Sequence, residues 1–82
     1  MNKILVTIYV VSIDETYDIL LPINLKMEDN LELIQNTITE LSNNNYVKHE
    51  NAILMNSDSK IINIKNSGKN SGLTNGCKVI LI

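Results

Sequence analysis

The sequence predicts an α+β domain, a mixed sheet of four to five strands with one helix packed across one face, and three observations predict it. Ile4, Val6, Ile8 and Val10 alternate with Leu5, Thr7, Tyr9 and Val11, and alternation resumes at Tyr17, Ile19 and Leu21, the rhythm of strands. Met27, Leu31, Ile34, Ile38 and Leu41 then recur at steps of four and three, which is one face of a helix. After the helix the chain returns to short apolar runs, the last of them "CKVILI". The first and last strands are the most apolar, so they are expected side by side in the centre of the sheet, paired parallel.

Each element follows from local chemistry. "SIDE" is a short polar turn between two β-rich runs, so residues 3–22 read as an antiparallel hairpin that Pro22 ends. Glu28, Asp29 and Glu32 occupy the first turns of the helix, where carboxylates oppose the positive end of its dipole, and "SNNN" stops it. "NAILMN" at 51–56 reads as a short strand, "SDS" as a turn, and "KIINI" as a second short strand or extended piece. "KNSGKNSG" reads as a surface loop, because Asn, Ser and Gly favour turns and provide nothing to bury. Asn75-Gly76 turns the chain into the last strand.

Size and charge exclude several functions. The 82 residues make one domain spanning 1–82, near the lower limit for a core without disulfides or metal. Its seven basic residues are all scattered lysines, arginine, Trp and Phe are absent, and the net charge is −2, so no nucleic-acid footprint is expected. The single Cys77 favours a reducing compartment, and the acidic "SIDET" after the first strand argues against a signal peptide. No run approaches the length of a membrane span, so a cytoplasmic protein without direct membrane insertion is expected.

The order hairpin, helix, strand, short strand, strand resembles the ubiquitin-like β-grasp fold over nearly the whole chain. Within that fold, "TYDILLP", "LKMEDNLELI" and "LTNGCKVILI" resemble the YukD/EsaB-like family, small ubiquitin-like proteins associated with bacterial type VII (ESX-type) secretion. The resemblance implies a non-catalytic accessory or regulatory role, with membrane-associated secretion-machine components as protein partners and no cofactor. The loops 43–50 and 65–72 depart from the family in length and in their Asn content. Ubiquitin-like modifiers and sulfur carriers react through a flexible tail ending in two glycines. This sequence ends Leu81-Ile82, so conjugation is not expected.

Counting alternation assigns Ile4, Val6, Ile8, Tyr17, Ile19, Leu21, Val79 and Leu81 to the helix-facing core. It puts Leu5, Tyr9, Leu20, Leu54, Ile80 and Ile82 on the opposite face, with Leu54 and Ile80 at the centre of a protein-interaction patch. An apolar set on a face that should be solvated marks a contact surface. No catalytic or metal-binding constellation is expected. His49 has no companion nucleophile or ligand and reads as a surface residue; Cys77 reads as half-buried; Glu28 and Asp29 are adjacent and do not face each other. "NSGKNSG" lacks the glycine spacing of a phosphate loop, and no Ser or Thr follows Lys69. Two alternatives stay open: a carrier acting through its C-terminus, and a homodimer formed through the same face.

Overall fold

The computed structural model describes residues 3–82. Its strands are β1 (Lys3–Val10), β2 (Glu15–Pro22), β3 (Leu54–Asn56) and β4 (Cys77–Leu81), with one helix, α1 (Met27–Leu41). The four-stranded sheet has the order β2-β1-β4-β3. β1 runs antiparallel to β2 and parallel to β4, and β3 pairs antiparallel with β4. The two most apolar strands are therefore central and parallel, as their composition requires. The turn from β1 to β2 is a short 3-10 segment, Val11–Ile13, closed by Asp14 in the left-handed conformation (φ 51°), a position that Asp tolerates better than most side chains.

One face of the sheet and one face of α1 make the core. Val6, Ile8, Val10, Ile19, Leu21, Val79 and Leu81 point from the strands into it, and Met27, Leu31, Ile34 and Ile38 meet them from the helix. Ile4 and Tyr17 lie on the same side, partly buried. Leu41 departs from its expected place: it is 56% exposed at the last helical residue, and Tyr46, 3% exposed, reaches back from the following loop into the core. Asn43 and Asn44, both with positive φ, reverse the chain after α1 and make that return possible.

Both Asn-rich loops are built into the fold. The first amides of a helix have no partners within it. Here Asn66 O accepts from the Met27 N–H (2.7 Å) and Ile64 O accepts from the Glu28 N–H (2.9 Å), so loop backbone caps α1 where no side chain does. The same loop is fastened to the segment before α1, with the Gly68 N–H donating to Leu25 O (3.0 Å) and the Lys69 N–H to Ile23 O (2.8 Å). Gly68 is buried against the Ile23 backbone, where an added Cβ would meet Ile23 Cα at 3.0 Å. The expectation that residues 65–72 have nothing to bury is thereby corrected, because backbone groups make the contacts and side-chain polarity does not report on them. "KIINI" does not form a strand: Ile61 makes one isolated bridge to Met55, and Ile62 turns into the core.

The loop 43–50 is pinned by a side-chain amide. Gln35, 4% exposed on α1, accepts from the His49 N–H at Oε1 (3.0 Å) and donates from Nε2 to His49 O (3.2 Å). The same Oε1 accepts the Tyr46 hydroxyl proton at 2.6 Å. Tyr46 is fixed from its other end, its N–H donating to Ser42 Oγ (3.0 Å).

Candidate functional site

The outward face of the sheet is organised in rows set by strand register. One row holds Leu20 beside Leu5. The next holds Asp18, Thr7 and Lys78, and the next Thr16, Tyr9, Ile80 and Met55, spanning all the strands. Alternation along each strand directs these side chains away from α1, because their neighbours Val6, Ile8, Ile19, Val79 and Leu81 are the core. Leu5, Tyr9 and Leu20 are exposed, while Ile80 and Met55 are partly covered. Beyond the strand ends, Ile53 and Ile82 exchange backbone hydrogen bonds (3.0 and 2.9 Å) and stay exposed.

Leu54 does not belong to this face. It pairs with Leu81, points into the core and is 1% exposed. Antiparallel partners share a face, so the register with β4 fixes the phase of the short β3, and it fixes the phase opposite to the expected one. Met55 takes the outward position assigned to Leu54. Both phases of "NAILMN" are apolar, so nothing in the segment itself distinguishes them; the neighbouring Ile61, 69% exposed, is bridged to Met55.

The apolar side chains fall into two groups separated by polarity. Thr7 Oγ1 donates to Asp18 Oδ1 at 2.7 Å, and Lys78 flanks Thr7 on the other side. Leu5 and Leu20 lie on one side of this polar row, and Tyr9, Ile80 and Met55 on the other. The Tyr9 hydroxyl donates to Asp14 Oδ1 (2.7 Å), which ties the ring to the β1–β2 turn. That hydrogen bond, with smaller contributions from desolvation and the Asp14 charge, raises the Tyr9 pKa above 10.0. The surface can supply apolar area, one phenol and ions of both signs, Asp18 against Lys78 and Lys3.

The remaining candidates lie elsewhere. His49 borders a cleft on the helix side with Glu28, Glu32, Gln35, Lys48 and Glu50, its ring 6.4 Å from that of Tyr46 and tilted by 45°. Lys48 lies 3.5 Å from Glu32, and Lys65 lies 3.9 Å from Glu28. Cys77 is partly buried at the start of β4. Among the described residues, no group of three or more His, Cys, Asp or Glu side chains could hold a metal ion, and no helix is long and apolar enough to cross a membrane.

No protein-family model matches the sequence, and no curated protein is significantly similar to it. Solved structures match the whole chain. A structure described as molecular mimicry of SUMO that promotes DNA repair superposes with a TM-score of 0.75 at 16% identity, covering 100% of this chain and 92% of the other. The chain has a ubiquitin-like β-grasp fold. The EccD5 ubiquitin-like domain from Mycobacterium xenopi superposes with a TM-score of 0.72 at 13% identity, covering 100% of this chain and 94% of that one. A chain of the MycP5-free ESX-5 inner membrane complex does so at 0.70 and 12% identity, with 100% of this chain matching 21% of the larger protein. The ubiquitin-like likeness is thus one of fold, shared with ESX-system domains at low identity.

Proposed function

We propose that this protein is a non-catalytic ubiquitin-like interaction module, similar to YukD/EsaB proteins, that serves as an accessory or regulatory component of a type VII secretion system. It works in the cytoplasm and docks through the outer sheet face onto a membrane-associated component of the machine. The observation that carries this reading is the row Tyr9, Ile80 and Met55, apolar side chains aligned across three strands on a face that α1 leaves open. The ESX-type domains among its structural neighbours support the secretion context. Apolar rows rimmed by polar groups are the anatomy of a contact surface.

The test is capture of type VII membrane components from native extract by the wild type and by a Leu5→Glu, Ile80→Glu double variant, each confirmed as folded by circular dichroism. Enrichment of those components by the wild type, lost in the variant, supports the reading. Absence of secretion components from the wild-type capture, or equal capture by both proteins, overturns it.

A second reading, a homodimer through the same face, is favoured by the row Asp18, Thr7 and Lys78. A two-fold axis running along β1 through Thr7 would set each Asp18 against the Lys78 of the other copy, making the row self-complementary. Sedimentation equilibrium separates the two readings: a mass that doubles with concentration, and reverts in Lys78→Asp, identifies the dimer.

A further inference from the structure

Asparagine is a thermolabile residue, most of all where glycine follows it, and Asn75-Gly76 is the one such pair in the sequence. Glycine has no Cβ to obstruct the approach of its nitrogen to the preceding side chain. Once the Gly76 amide has given up its proton to base, its nitrogen can attack Asn75 Cγ. The new N–C bond closes a five-membered succinimide, and the side-chain nitrogen, protonated by water, leaves as ammonia. A second water then opens the ring. Breaking the bond from Cγ to the Gly76 nitrogen leaves aspartate at 75, and breaking the original peptide bond leaves isoaspartate.

Both partners in that ring closure are held by a single residue of β1. The Gly76 N–H donates to Leu5 O (2.7 Å), and Asn75 Oδ1 accepts from the Leu5 N–H (2.8 Å). Leu5 thus meets the pair as it would a neighbouring strand, and the two bonds make one further rung before Val6 and Cys77 begin the β1–β4 register. The Cys77 N–H donates to Thr74 O (3.0 Å), closing a turn around the pair with Gly76 at φ 84°. The proton that must leave is therefore bonded, and the side chain that must swing toward the Gly76 nitrogen is tied to β1. Asn75 and Gly76 are exposed, so water and base reach them as soon as these bonds open.

We propose that Asn75-Gly76 is a self-modifying site gated by Leu5, silent while the start of β4 is paired with β1 and converted by deamidation when it separates. The two products have different consequences. Aspartate keeps an acceptor oxygen where the Leu5 N–H needs one. Isoaspartate routes the main chain through Cβ and Cγ, which adds a backbone carbon before the Gly76 nitrogen, so the two bonds to Leu5 cannot both re-form. An opening that ends in isoaspartate shortens the β1–β4 pairing permanently. This inference concerns the joining of two strands and is independent of the outer-face reading.

The test uses the wild-type protein in mildly alkaline buffer, in three states: folded, in urea below the unfolding transition, and fully unfolded. Conversion of Asn75 is followed by peptide mass spectrometry, with Asn66 and Asn70, which precede serine, as comparators. In the unfolded chain Asn75 is expected to convert faster than either. Folding should slow it at least about tenfold, the factor set by two backbone hydrogen bonds of ordinary strength. Hydrogen exchange at Gly76 should accelerate in parallel as urea rises, because both reactions begin with loss of the same proton. The isoaspartyl form, separated by chromatography, should lose exchange protection at Leu5 and Gly76, whereas Asn75→Asp should keep it. Equal conversion in the folded and unfolded states, conversion that does not follow Gly76 exchange, an unfolded chain in which Asn75 is no faster than Asn66 and Asn70, or an isoaspartyl protein with both amides protected would overturn the inference.

Discussion

The side-chain amide of Gln35 holds both backbone polar groups of His49, accepting from its N–H at 3.0 Å and donating to its O at 3.2 Å. A helix residue thereby supplies the hydrogen-bonding pattern of one more peptide unit, and the loop after α1 is docked on it. With Tyr46 OH 2.6 Å from the same Oε1, the amide is nearly saturated.

Gln35→Ala leaves two loop groups and the Tyr46 hydroxyl without partners, and is expected to cost about 2–4 kcal/mol. Tyr46→Phe removes one bond and leaves the amide satisfied by His49, costing about 1 kcal/mol. Urea denaturation of both single variants and the double variant should give a coupling energy, because the residues share a network. Additive effects would show that the hydroxyl contact contributes nothing.

Burial raises the Tyr46 pKa above its unfolded value of 10.0, since desolvation disfavours the phenolate. The sign follows by linkage: the stabilisation is fully present below pH 10.0 and is lost as pH rises through the folded-state pKa. Tyr9 acts in the same direction through its hydrogen bond to Asp14. Thermal melts should show stability falling above pH 10.0, less steeply in Tyr46→Phe than in wild type. Equal alkaline slopes would remove Tyr46 as a source.

Gly68→Ala places a methyl 3.0 Å from Ile23 Cα, against backbone that cannot swing aside. The loop must then retreat from Ile23 and from its capping bonds to α1. A loss of about 1–3 kcal/mol is expected, the range for overpacking. Hydrogen exchange should speed up at Met27 and Glu28, whose N–H groups the loop carbonyls cap. Unchanged protection at both amides would mean that the cap does not depend on this close approach.

Leu54→Ala should cost about 2–5 kcal/mol because it empties a core position, whereas Leu20→Ala, at 58% exposure, should cost under about 1 kcal/mol. Chemical denaturation midpoints compare them directly. Similar losses would contradict the assigned phase of β3.

Why Leu54 misleads a sequence reader shows where legibility ends. β1, β2 and β4 are long enough for alternation to expose their phase, and the four-and-three spacing locates α1, because each pattern repeats several times within its own element. A three-residue strand has no repeat of its own; its phase comes from Leu81, far along the chain. Leu5, Tyr9, Leu20, Ile80 and Ile82 could be assigned to the outer face from their own runs. The polar row that divides them needs the register between strands, and the clasp of Gln35 on His49 needs the path of a loop.

The parallel pairing of β1 with β4 also governs how the domain comes into being. The β1–β2 hairpin and α1 can form from local sequence, but β1 keeps one side unpaired until Cys77–Leu81 has left the ribosome. Val6 must then find Cys77 across nearly the whole domain, a closure that slows folding relative to a helical bundle of equal size. During synthesis the nascent chain therefore carries an apolar strand with an open side, and its yield in the cell depends on how well that strand is sheltered before β4 arrives.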